Sequence, residues 1–108
     1  MDILVIDGDG VERHGIDELP LLLKRDDAII WVDIPLCDPT GASVLSDVFG
    51  FHSIAVRDCV ERNHVSKFHV YADYVFTVLH APEVGRRGHV HYVELDQFVG
   101  HNYLVTVH

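Results

Sequence analysis

The sequence predicts a single α/β (α+β) domain in which helices pack on a mixed, mostly antiparallel sheet. Three observations predict it. The 108 residues are one domain's worth. The first half holds segments whose apolar residues recur at helical spacing. The second half holds four runs rich in Val, Tyr and Phe that read as strands. Helices layered on a sheet are the natural way to bury both kinds of face.

The elements follow in order. Residues 2–7 and 11–16 flank Asp7-Gly8-Asp9-Gly10. Asp-Gly is a strong turn signal, so these runs form a hairpin. The Asp7/Asp9 pair also opens like a calcium loop, but Gly10 comes too early and position 16 is Ile where a bidentate Glu is needed. Asp17 is expected to cap a helix reaching about Arg25, with Pro20 tolerated in its first turn and Leu19, Leu22 and Leu23 on its apolar side. Residues 29–34 (IIWVDI) read as a buried strand ended by Pro35. Asp38-Pro39-Thr40 starts a second helix over 41–49, with Gly50 as its stop. A third helix over 53–61 has Ile54, Val56, Cys59 and Val60 as apolar positions and Arg57, Asp58, Glu61 and Arg62 as polar ones. After a polar link over 62–66, residues 67–71, 73–80, 89–98 and 103–108 read as strands, with a loop over 83–88 and a tight turn at 100–102.

Composition narrows the function classes. Hydrophobic residues make up 48% and charged residues 23%, which is globular composition. Eight basic against 17 acidic side chains give a net charge of −9, which disfavours binding to phosphate backbones and attracts divalent cations. The N-terminal stretch has no basic region and no long apolar segment, so no secretory signal is expected. The longest uninterrupted apolar run, 28–32, is far short of the roughly 20 residues a membrane helix needs. Cys37 and Cys59 make no disulfide framework and read as buried free thiols in a reducing compartment.

No catalytic constellation is visible. Ser43, Ser46, Ser53 and Ser66 lack a nucleophile elbow, and there is no phosphate loop or dinucleotide fingerprint. The chain is therefore not expected to be an enzyme. Nine histidines stand out. His89 and His91 alternate on a strand and share a face, but two imidazoles are too few for structural zinc, and Glu94 falls on the opposite face. His101 sits in a turn, and His14, His52, His64, His69, His80 and His108 are scattered; exposed polar positions are the plain reading. Asp58, by spacing alone, is an ordinary helix-surface carboxylate with Arg62 one turn on as partner.

From Trp31 onward the chain resembles the N-terminal cytoplasmic domain of CorA-type divalent-metal transporters. The matching pieces keep their order: Trp31-Val32-Asp33-Ile34 with Asp38-Pro39-Thr40; Phe49-Gly50-Phe51-His52; the strand from Tyr71-Ala72-Asp73-Tyr74 to His80-Ala81-Pro82; and the closing pair Glu94-Leu95-Asp96-Gln97-Phe98-Val99-Gly100 and Asn102-Tyr103-Leu104-Val105-Thr106-Val107-His108. Residues 1–30 match the family only in style.

The resemblance implies an αβα layered module, here one domain over 1–108, that precedes a stalk helix and two membrane helices. It implies a cytoplasmic position in a protein of the inner or plasma membrane and neighbouring identical subunits in a homopentamer. It also implies regulatory Mg2+ held between subunits that keeps the pore closed. The chain ends about where the stalk would begin, so the expectation is a sensor domain without stalk or pore. One functional position carries over. The family's third helix commonly reads Leu-Glu-Asp, and Arg57-Asp58 aligns there, so Asp58 is the expected metal ligand. Arg57 replaces the family's Glu, and of the following His-Gln-Arg-Pro-Lys only Lys67 is kept. The transported ion (Mg2+, Co2+ or Zn2+) is selected by the absent pore. Two other readings stand beside this one: the same domain of a Zn2+-transporting relative, which the histidines favour faintly, and a free-standing soluble metal-binding or interaction module, which needs histidines that converge in space.

Overall fold

The computed structural model describes residues 1–61 and 65–108. Seven strands form one sheet in the order β2-β1-β3-β7-β6-β5-β4. Every neighbouring pair is antiparallel except β3 and β7. The mixed, mostly antiparallel sheet expected from the sequence is therefore present, with its one parallel pair at the centre.

β1 (Asp2–Asp7) and β2 (Gly10–His14) form the hairpin. Its turn is held by the Asp9 backbone N–H donating to Asp7 Oδ1 at 2.8 Å, and Gly10 takes φ +127°. This local bond is why Asp7 favours a turn.

The first helix is shorter and tighter than expected, and Asp17 does not cap it. A 3-10 turn over Ile16–Glu18 leads into α1 (Leu19–Leu22). The N-terminal residue is Gly15, whose N–H donates to Glu18 Oε2 at 3.0 Å. Asp17 lies inside the turn. The chain then winds to Arg25 through i→i+3 bonds, Lys24 N–H to Leu21 O and Arg25 N–H to Leu22 O, which fill the place of the expected last helical turn.

β3 (Ile29–Ile34) leads to α2 (Pro39–Ser43). Asp38 caps α2 as expected, its Oδ1 accepting from Gly41 N–H at 2.8 Å. α2 approaches β3 so closely that a Cβ on Gly41 would stand 3.0 Å from Ile34 Cγ2. A π-helical turn over Val44–Val48 follows, and Gly50, at φ +69°, ends it. α3 (Ser53–Val60) starts at His52, whose imidazole Nδ1 accepts from Ile54 N–H at 3.1 Å.

β4 (Lys67–Val70), β5 (Val75–Val84), β6 (Val90–Val99) and β7 (Tyr103–Val107) complete the sheet. β5 runs four residues beyond its expected end at His80. Pairing with β6 continues through Val84 opposite Val90, so the expected loop over 83–88 shrinks to a turn. Pro82 is tolerated because at that level β5 has β6 on one side and no strand among the described residues on the other, which makes it an edge.

All fully apolar buried strand residues lie on one face of the sheet: Ile3, Val5, Ile30, Val32, Ile34, Phe76, Val78, Phe98, Val105 and Val107. They form a single core with Leu19, Leu22, Val44, Leu45, Phe51, Ala55, Val56 and Cys59 of the helical segments. The opposite face is mixed: Ile29, Phe68, Val70, Leu79, Val93 and Val99 are exposed and Trp31 and Leu104 half-buried, while a polar row of Asp2, Asp33, Thr106, Gln97 and Thr77 crosses it. No helix among the described residues covers this face, and it exposes more apolar side chains than a sheet facing water usually does.

Asn102 ties the β6–β7 turn to the segment that follows α1. Its side-chain amide donates to Leu23 O at 2.9 Å and to Arg25 O at 2.7 Å from a buried position. Asn102→Ala leaves both carbonyls without this donor. The expected loss is about 2 kcal/mol in urea unfolding; a change below about 0.5 kcal/mol would show that water replaces the amide.

Candidate functional site

α3 places Asp58 on the sheet side of the helix. Ala55, Val56 and Cys59 are buried with it, and Asp58 itself is only 9% exposed. The surface position expected from spacing is thus corrected. The apolar stripe is narrower than expected, since Ile54 and Val60 are half exposed, and the helix has turned so that 55, 56, 58 and 59 face inward. The expected partner Arg62 lies outside the described residues. Asp58 instead pairs with Lys67 of β4, Nζ to Oδ2, at 2.7 Å.

Cross-strand register puts further polar residues on the face of the sheet that carries Lys67. Lys67 stands opposite Val78, and Val78 opposite Asp96, so Lys67 and Asp96 share the core-side face. Two rungs further, His80 stands opposite Glu94, with Nε2 3.7 Å from Glu94 Oε1 and Nδ1 2.9 Å from Ser66 Oγ. Glu94 and Asp96 are both buried. Burial, and then the charge of Asp96, push the Cys59 thiol well above its usual range, so it is a poor nucleophile and a poor metal ligand. Burial raises Cys37 as well, and both cysteines are free thiols as expected.

Glu94, Asp96 and His80 escaped the sequence reading because register alone brings them onto the face that carries Lys67. The one legible signal was the opposite parity of Glu94 to His91, which places Glu94 on the core-side face.

The described histidines do not converge. His14 meets Glu18 at 3.1 Å, His52 caps α3, His69 packs on Tyr71 with ring centroids 4.2 Å apart, and His108 meets Asp33 at 3.1 Å. His89 falls just before β6, where its N–H donates to Arg86 O, while His91 approaches Glu83 at 3.6 Å. His101 is exposed in its turn, and His64 lies outside the described residues. Among the described residues no group of three or more His, Cys, Asp or Glu is placed to hold a metal ion. At the expected position the described residues place a carboxylate that is buried and already engaged by an ammonium, and it is not part of a closed metal cage.

Comparison with known proteins supplies the context. The family model described as CorA-like Mg2+ transporter protein matches residues 26–108. A Bacillus subtilis (strain 168) protein named as the metal ion transporter YfjQ is 34% identical over 85 residues, which are 79% of this chain and 26% of that protein. Among solved structures, the full-length CmaX protein superposes with TM-score 0.75 at 17% identity, covering 98% of this chain and 33% of that one. The CorA magnesium transporter from Methanocaldococcus jannaschii superposes with TM-score 0.70 at 15% identity, covering 100% of this chain and 32% of that one. The chain thus spans a quarter to a third of the proteins it matches. At these identities the two structures speak to the fold, and the fold is shared. No helix among the described residues is long and apolar enough to cross a membrane.

Proposed function

The chain belongs to the CorA-like Mg2+ transporter family, and from that premise we propose that it is the metal-sensing cytoplasmic domain of a CorA-type Mg2+ transport channel. In this reading Asp58 binds a regulatory Mg2+ between neighbouring subunits of a homopentamer, and the bound ion favours the closed pore. The observation that carries it is the placement of Asp58. α3 carries this carboxylate beside Lys67, within the segment that matches the family. The open face of the sheet adds support. Its exposed Phe68, Val70, Leu79 and Val99 suit a domain that is one layer of a larger molecule.

Physical chemistry gives the site its character. Mg2+ wants six oxygens near octahedral geometry and keeps several waters. Asp58 supplies part of that shell, and a carboxylate of a second subunit supplies another part. Occupancy is thereby coupled to subunit packing, and an ion that binds one arrangement better shifts the population toward it. The acidic surface concentrates cations and makes subunits repel until metal screens them. The Lys67 ammonium competes with the ion for Asp58 and keeps the affinity of a lone domain low.

A Mg2+ titration followed by amide NMR tests this. The isolated chain is expected to fold without metal and to bind in roughly the millimolar range. Shifts should centre on Arg57, Asp58 and Lys67 and vanish in Asp58→Ala. A sub-micromolar affinity, or shifts that persist in Asp58→Ala, would contradict the assignment.

A further inference from the structure

His52 opens α3 in an uncommon way. Its imidazole Nδ1 accepts from the Ile54 N–H at 3.1 Å and fills the place of a cap. Ser, Thr, Asn and Asp are the usual residues there, and each keeps its acceptor between about pH 5 and 8. An imidazole does not. Nδ1 accepts only while the ring is neutral, with its proton on Nε2. Four other described histidines are placed the opposite way. His14, His80, His91 and His108 lie 3.1 to 3.7 Å from a carboxylate oxygen, so a proton on them gains an ion pair. His52 is exposed and forms no ion pair with any described residue.

The groups around the ring decide the sign. Tyr71, in the turn between β4 and β5, stacks on the imidazole with centroids 5.4 Å apart. Tyr74 of the same turn accepts the His52 backbone N–H at 2.9 Å through its hydroxyl oxygen. His69 of β4 packs on Tyr71 at 4.2 Å, and the charges of Asp58 and Lys67 reach that tyrosine with opposite signs. The other charges of the neighbouring segments are Asp47 in the π-helical turn, Arg57 on α3 and Asp73 in the β4–β5 turn. A protonated ring gains an attraction to the face of Tyr71. It loses the cap bond, sets one N–H against another, and puts a positive charge at the positive end of the α3 dipole. Two losses of similar size outweigh one gain, so a proton drives the ring off the cap.

The backbone beneath the ring stays in place. Phe51 is buried on Phe98 and its N–H donates to Leu45 O at 3.1 Å, while Tyr74 holds the His52 N–H in either state of the ring. What changes is the first turn of α3. Ile54 links that turn to Asp58: its N–H donates to the cap, and in the i→i−4 ladder its C=O accepts from the N–H of Asp58. A helix of eight residues has few other bonds to hold its first turn.

We propose that His52 is a proton-responsive cap. The neutral ring fixes the first turn of α3; the protonated ring releases it and loosens the helix that sets Asp58 beside Lys67. His52 is thus a positioning residue whose hold on Asp58 follows pH near neutrality. The inference stands on the cap geometry of the metal-free chain and does not depend on Asp58 binding an ion.

Amide hydrogen exchange tests it. The 108-residue chain is followed by NMR at about pH 7.5 and about pH 5.5, with rates corrected for the intrinsic pH dependence. Protection at Ile54 and Asp58 is expected to fall about fivefold on acidification, while amides of β3 and β7 keep theirs. His52→Asn supplies a cap that does not titrate, and is expected to hold protection high at both pH values. His52→Ala supplies none, and is expected to be low at both. The position is exposed, so both variants fold, which far-ultraviolet circular dichroism checks. Four results would each overturn the proposal: no fall in the wild-type chain, a fall shared equally by β3 and β7, a fall that survives in His52→Asn, or a His52→Ala chain as protected as wild type at the higher pH. The third would assign the fall to another titrating group.

Discussion

Phe98→Ala is expected to lower stability by about 3–5 kcal/mol, the usual cost of emptying a buried aromatic site. A chain of 108 residues is held by roughly 5–15 kcal/mol, so this one change removes a large part of the margin. Phe98 is fully buried on β6. Its ring stacks on Phe51 at 4.0 Å between centroids and 8° between planes, and packs against Phe76 at 4.7 Å. Tyr74 closes the group at 6.0 Å. Phe51 belongs to the segment between the π-helical turn and α3, so the Phe98–Phe51 stack joins the sheet to the helical layer. A cavity there is bounded by a paired strand on one side and a capped helix on the other, and neither can collapse into it cheaply. The loss also reaches the candidate site, because Phe51 precedes His52, which caps the helix that carries Asp58. Urea unfolding monitored by far-ultraviolet circular dichroism measures it. A loss below about 1 kcal/mol would mean that the layers are joined elsewhere.

The strands were legible because β-branched and aromatic residues cluster where strands form. Gly50 and the Asp38 cap were legible because their local chemistry admits few alternatives. Strand order was not, since it depends on pairing between residues far apart in sequence. The last rungs of the β5–β6 pair were hidden for a local reason: Pro82, Gly85 and Gly88 read as loop punctuation, yet the register carries Pro82 and Val84 into the ladder. Asp58 illustrates the limit most clearly. Its position in the site came from motif resemblance, while periodicity placed it on the surface. Its burial and its bond to Lys67 follow from how α3 settles against β4 and β5, which no spacing within the helix records. The neighbours Glu94, Asp96 and His80 converge through register for the same reason.

The Asp58–Lys67 pair separates a sensing role from a structural one. Lys67→Met keeps the aliphatic stem and removes the charge. Asp58 has 12% of its side chain exposed and Lys67 41%. The pair is therefore short of fully buried, and its loss is expected to cost about 2 kcal/mol, below the 3–5 kcal/mol of a fully buried pair broken on one side. The sensing reading adds a second consequence. The same substitution removes the cation that competes for the carboxylate, so Mg2+ binds Lys67→Met more tightly than wild type. A ligand that binds only the folded state stabilises it by RT ln(1 + [L]/Kd), about 1.4 kcal/mol at ten times Kd. Unfolding of Lys67→Met is thus expected to become Mg2+-dependent, with added ion restoring most of the loss. Asp58→Asn/Lys67→Met removes both charges together; it should recover part of the stability and show no Mg2+ response. If Lys67→Met loses its 2 kcal/mol and Mg2+ restores none of it, Asp58 is a structural anion of the α3–β4 contact and the regulatory site lies elsewhere. If the restoration follows Mg2+ and disappears with Asp58, a single carboxylate serves both purposes: Lys67 holds it while the subunit is alone, and the shared ion takes it over when a neighbour completes the coordination shell.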